Sequence, residues 1–187
     1  LLVEGVPEFQ KLRSDLLPLA RKIPALPDLD SCVDKKSSYS RGWSHGKEQL
    51  SPGIPDWQKG SFYANPHSEA LADTFAEDDG RRDFWKQQES EHPSFYAPNV
   101  WPTSLPQLQP AFVAMGRKVC NVGTLVCRVC DAYCAKYGAK TSLEEHVLKS
   151  KIATGRLLHY FAAKDEQTNK NAMWCGWHND HVSFCVM

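Results

Sequence analysis

The chain has 187 residues, 42% hydrophobic and 24% charged, with 22 basic side chains balancing 22 acidic ones and a sequence pI near 7.2. These values fit a soluble globular chain of one domain or two small ones. They argue against nucleic-acid binding, for want of a basic footprint, and against a membrane span, since no apolar run approaches the roughly 20 residues required.

Seven cysteines, an odd number, occur without any Asn-x-Ser/Thr acceptor, which favours a reducing, intracellular setting. No basic-then-apolar leader pattern opens the chain at Leu1, so the expected location is the cytoplasm.

From Glu4 to Ile23 the residues Val6, Phe9, Leu12, Leu16, Leu19, Ala20 and Ile23 recur at three- and four-residue steps, predicting an amphipathic helix that Pro18 shortens or kinks. Pro24-Ala25-Leu26-Pro27 ends it, and short extended pieces follow through Ser51-Pro52-Gly53-Ile54-Pro55. Gly60 to Ala64 reads as a strand. Asn65 to Trp101 reads as polar and irregular, with the charge run Glu77 to Asp83 a solvated surface excursion.

All twelve prolines lie at or before Pro110, so the second part of the chain should be the regular one. A long helix is predicted from about Leu105 to Tyr137, with Leu108, Phe112, Met115, Val119, Val122, Val126, Val129 and Tyr133 as one buried stripe. Cys120, Cys127, Cys130 and Cys134 carry a ligand-like Cys-x-x-Cys gap, but their steps of seven, three and four are helical. A continuous helix leaves no loop to fold around an ion, which favours structural thiols over a zinc or iron–sulfur site. Gly138 ends this helix, and Thr141-Ser142-Leu143-Glu144-Glu145 supplies a capping-box start for a short one.

After that the period changes to two. Arg156 to Ala162 and Ala172 to Asp180 read as strands joined by the turn-like Lys164 to Lys170, and Val182 to Met187 reads as an extended run that stops inside a core element. Helices first and strands last predict an α+β fold.

His178-Asn179-Asp180 is the sharpest chemical signal. Residues two apart on a strand share a face, so His178 and Asp180 converge while Trp177, Asn179 and His181 face away. One imidazole and one carboxylate are two-thirds of the two-histidine, one-carboxylate set that holds Fe(II) with open positions for a co-substrate and dioxygen. Alone, the motif is common by chance.

Its context is specific. Arg156-Leu157-Leu158-His159-Tyr160-Phe161, then about a dozen polar residues, then Trp174-Cys175-Gly176-Trp177-His178-Asn179-Asp180-His181, resembles the barrel entry of the plant-type non-haem iron(II), 2-oxoglutarate-dependent dioxygenases, the isopenicillin N synthase-like family. Gly176, His178 and Asp180 match the family's Gly-x-His-x-Asp run. Arg41-Gly42-Trp43 followed by Asp56-Trp57-Gln58-Lys59-Gly60-Ser61-Phe62 is similar to its N-terminal region, and the long helix after Asn99-Val100-Trp101-Pro102 stands where its backing helix belongs.

The resemblance implies a helix-rich region over residues 1–150, then the first strands of a double-stranded β-helix (jelly-roll) barrel over 151–187. It implies His178 and Asp180 as iron ligands, and Tyr160 beside the carboxylate of 2-oxoglutarate, with dioxygen as second co-substrate and a small organic molecule as substrate. Leu158 departs from the asparagine usual two residues before that tyrosine. His181, in the opposite strand phase, is expected outside the ligand set. The family's second histidine ligand and its 2-oxoglutarate-binding arginine fall beyond Met187, and His45, His67, His92, His146 and His159 read as surface or packing histidines. The chain is therefore expected to be an N-terminal portion, inactive by itself. The alternative is a catalytically inactive remnant or protein-interaction module; oligomeric state is left open.

Overall fold

The computed structural model describes residues 2–51, 53–68, 81–150 and 152–162. The predicted strand from Ala172 to Asp180, the turn before it, the run to Met187 and the acidic stretch Glu77 to Asp79 lie outside the described residues.

The first helix, α1, spans Phe9–Ala20, shorter than its apolar pattern. Glu8 before it is left-handed, at φ 65°, which sets the start. Pro18 falls in the last turn, where losing one N–H shortens the helix rather than breaking it. Leu16 and Ala20 are its buried residues. Two 3₁₀ turns, Ile23–Ala25 and Leu29–Cys32, lead to strand β1, Gly42–His45. A small ladder of β2 (Gln49–Ser51) and β3 (Ile54–Pro55) precedes β4, Lys59–Ala64.

The region predicted to be irregular instead holds two helices, α2 (Arg81–Glu91) and α3 (Pro93–Tyr96). The charged run does lie on the surface from Arg82 onward. But Arg, Lys, Gln and Glu are strong helix formers, and that propensity decides the backbone. Pro93 sits at the first helical position of α3, where its missing N–H costs nothing, and Trp85 meets Tyr96 edge-on at 4.8 Å to join the pair.

Helix α4 is the long one, Leu108–Ala135, and α5 follows at Leu143–Ser150. The cap predicted for α5 is present. Ser142 Oγ accepts the Glu145 N–H at 3.1 Å, while Asp131 of α4 accepts the N–H groups of Leu143 (2.8 Å) and Glu144 (3.0 Å), three otherwise orphaned donors. Arg128 binds the Glu144 carboxylate through Nε and Nη2, fixing α5 on the end of α4.

Strand β5, Gly155–Tyr160, completes an antiparallel sheet of order β1-β4-β5, so the fold is α+β. The register is Trp43 opposite Phe62 and Phe62 opposite Leu157. That row, with Ala64, packs against Leu105, Leu108 and Phe112, and Leu16, Ala20 and Ile23 close the core. Trp101 stacks on Phe62 at 5.5 Å. Contact between α4 and the sheet needs a side-chain-free strand end: a Cβ on Gly155 would sit 2.7 Å from the Phe112 ring.

The predicted stripe on α4 is buried only in its first half. Leu108 and Phe112 are buried, but Val129 is 70% exposed and Tyr133 59%. A stripe spaced at 3.5 residues drifts about 20° per heptad around a straight helix, so the buried line passes instead through Gly123 and Cys127. The four cysteines do lie on unbroken helix. Cys127 is buried, which pushes its thiol pKa up, and the other three are half-buried. Among the described residues, no helix is long and apolar enough to cross a membrane.

Candidate functional site

Alternation along the strands sorts the sheet into two faces. Trp43, Phe62 and Leu157 point toward α4. Ser44, Lys59, Ser61, Tyr63, Arg156, Leu158 and Tyr160 share the other face, by the pairings Ser44 with Ser61, Tyr63 with Arg156, Ser61 with Leu158 and Lys59 with Tyr160. Ser44 and Ser61 are buried at its centre, while Leu158 and Tyr160 are 38% and 45% exposed along β5.

Tyr160, expected beside a bound carboxylate, is thus at the end of β5 on the face turned away from the helices. Leu158 lies two residues before it on the same face. His178, Asp180 and His181 lie outside the described residues. His45 and His159 are packing histidines on the opposite face: His45 stacks on Phe161 at 4.8 Å, and its Nε2 lies 3.1 Å from the Trp57 carbonyl. The His159 ring meets Phe161 edge-on at 4.8 Å. His92 precedes α3, His146 is exposed on α5, and the His67 N–H donates to Asn65 Oδ1 at 2.9 Å. Among the described residues, no group of three or more His, Cys, Asp or Glu is arranged to hold a metal ion, the α4 cysteines included.

A polar network runs along β4 on this face, from Tyr63 to Lys59. Glu48, on the segment between β1 and β2, receives the Tyr63 hydroxyl at 2.7 Å and Arg156 Nη2 at 2.6 Å on Oε1, and Lys59 Nζ at 3.1 Å on Oε2. Lys59 also pairs with the buried Asp56 at 3.2 Å. Arg156 is steadied by Ser61 Oγ, 3.1 Å from Nε and 2.9 Å from Nη2, and its guanidinium lies 5.2 Å from the centre of the Tyr63 ring.

These contacts set the protonation states. Burial by itself would raise the Glu48 carboxyl, but the Tyr63 hydrogen bond together with Arg156 and Lys59 outweighs it, leaving the pKa below its ordinary value. Burial would lower the Lys59 ammonium, and Glu48 and Asp56 reverse that, raising it. Burial and the bond to Glu48 push the Tyr63 phenol up to about 12. Two carboxylates and two cations leave the cluster neutral at pH 7.

Only part of this cluster had a sequence signal. Lys59, Ser61 and Tyr63 alternate with Gly60, Phe62 and Ala64, which marks a polar strand face, and Asp56 stands three residues before Lys59. Glu48 had none, because its partners Tyr63 and Arg156 are 15 and 108 residues away. Set against protein-family models, curated proteins and solved structures, the chain matches none of them.

Proposed function

We propose that the chain carries part of an Fe(II)- and 2-oxoglutarate-dependent dioxygenase that acts on a small organic molecule, with His178 and Asp180 as iron ligands and Tyr160 beside 2-oxoglutarate. The observation that carries the reading is an order of features: a strand ending on Tyr160, then Gly176-x-His178-x-Asp180, both after the long helix α4. The position of Tyr160 supports it. In a jelly-roll barrel the backing helix covers one face of the sheet and the ligands lie on the other, and Tyr160 is on the face away from α4. Bound iron would supply the activation of dioxygen. The part left to the chain is to hold the metal through one imidazole and one carboxylate, and to position the co-substrate.

Anaerobic equilibrium dialysis of the full chain with Fe(II) and 2-oxoglutarate tests this. One iron per chain is expected, with His178→Ala and Asp180→Ala each weakening binding at least tenfold. Unchanged binding in both variants refutes the proposal.

A second reading, a protein-interaction module without turnover, draws on the outer side of α4, where Leu125, Val129 and Tyr133, with Tyr137 just past the helix end, are spaced four apart and all exposed. Size-exclusion chromatography with light scattering separates the two. This reading needs an assembly that Val129→Glu disrupts, and a strict monomer removes it.

A further inference from the structure

We propose that Lys59, Tyr63 and Arg156 form a carboxylate-binding site on the sheet face away from α4, that Glu48 fills it as an internal occupant, and that a monocarboxylate with an apolar body displaces Glu48. The inference uses no metal and stands on this sheet face alone.

The site has the donor set of a carboxylate receptor. An ammonium, a phenol and one arm of a guanidinium converge on one carboxylate from two adjacent strands, and both of its oxygens are engaged. The donors are held in place without Glu48. Asp56 keeps Lys59, Ser61 takes two bonds from Arg156, and both strands run in the hydrogen-bonded sheet. The occupant, by contrast, comes from outside the sheet, on the segment between β1 and β2. Its main chain is held independently, by the Asp56 N–H on the Glu48 carbonyl at 2.8 Å. The Glu48 side chain is 37% exposed and can rotate into water while the backbone stays.

Exchange is nearly balanced in charge. One carboxylate leaves and another enters, so the two cations keep a partner throughout and no buried charge is left alone. The advantage of Glu48 is its tether, an effective concentration of about millimolar for a short flexible connection. An incoming ligand must offset that with contacts Glu48 cannot make. Those are available along β5, where Leu158 is exposed on the same face beyond Arg156. The fitting ligand class is therefore a monocarboxylate with an aromatic or branched aliphatic body, its head at Arg156 and its body over Leu158.

Phenylacetate is the probe, with benzyl alcohol as its uncharged counterpart, titrated calorimetrically into the full chain. Glu48→Ala should bind phenylacetate at least tenfold more tightly than the wild type, should not bind benzyl alcohol, and should lose the gain when Arg156→Gln is added. Equal affinity in wild type and Glu48→Ala, or tight binding that survives Arg156→Gln, overturns the proposal. Should Glu48→Ala fail to fold, Glu48→Gln keeps the side-chain volume while removing the charge, and the same comparison decides. In the wild type, amide signals of Ser61, Tyr63 and Arg156 should shift with phenylacetate and stay still with chloride; no shift at saturating phenylacetate also overturns it.

Discussion

Arg41 gives the sharpest test of what holds the helical region to the sheet. Its side chain is fully buried, and its guanidinium donates to three main-chain carbonyls: Nε to Ala97 at 3.1 Å, Nη1 to Ser40 at 2.8 Å and Nη2 to Phe95 at 2.6 Å. Two of those bonds tie the entry to β1 to residues more than fifty positions away, at the end of α3. Burial lowers its pKa, and the charge of Asp34 opposes that. Each hydrogen bond to a charged group contributes about 1.5–3 kcal/mol, and burying an incompletely compensated charge costs several kcal/mol back. Arg41→Ala recovers that cost but leaves the Ala97 carbonyl buried without a donor, worth about 1–3 kcal/mol. The net expected loss is about 2–4 kcal/mol. For a chain of this length that corresponds to a fall in Tm of roughly 5–15 °C, read by circular dichroism and by urea unfolding. Arg41→Lys keeps the charge but not the planar fork, so it should recover less than half of the loss. An Arg41→Ala protein within about 0.5 kcal/mol of wild type, or full recovery by lysine, refutes the reasoning.

Three further outcomes follow from the packing and the electrostatics. Gly155→Val places a Cβ against the Phe112 ring and should cost about 1–3 kcal/mol by overpacking, with thermal unfolding as the measurement; Phe112→Leu in the same chain should relieve part of it. Asp131→Ala removes the acceptor for the first N–H groups of α5, so amide exchange at Leu143 and Glu144 should quicken while the β4–β5 amides keep their protection; unchanged exchange in α5 rejects that role.

The third outcome concerns alkaline pH. Tyr63 is raised from its ordinary 10.0 to about 12 in the folded chain, so above pH 10 the unfolded state deprotonates first. Its contribution to stability is complete below pH 10 and is lost as pH rises toward 12. The phenolate absorbance of wild type should show a component titrating near pH 12 that Tyr63→Phe removes. Glu48 works in the opposite window, since its lowered pKa gives stability that is lost as pH falls below the ordinary carboxylate range.

What the sequence could show follows from the range of each interaction. Helix α4, strands β4 and β5 and the Ser142 cap were legible because periodicity and capping are local, set by residues three or four apart or alternating along one strand. The apolar spacing runs past both ends of α1, because it does not register the left-handed backbone at Glu8 or the 3₁₀ turn that takes over at Ile23. Helix α2 is not legible from its charged composition, which marks a solvated surface, because the helix propensity of the same side chains decides the backbone. The exposed half of the α4 stripe is not legible either, because a heptad pattern marks a side of the helix without saying what lies beside it. Tyr160 could be picked out by its position in an ordered set of motifs. The Glu48 network and Arg41 could not, because they join residues brought together only by the sheet.

The most direct measurement on the central claim is paramagnetic. Mn(II), standing in for Fe(II), added with 2-oxoglutarate to the full chain labelled at tyrosine rings should broaden the Tyr160 signals and leave those of Tyr133, on α4, and Tyr137, just past its end, sharp. His178→Ala should abolish the broadening. Broadening that is uniform over the tyrosines, absent at Tyr160, or unchanged by His178→Ala would contradict the assignment of His178, Asp180 and Tyr160 to one site.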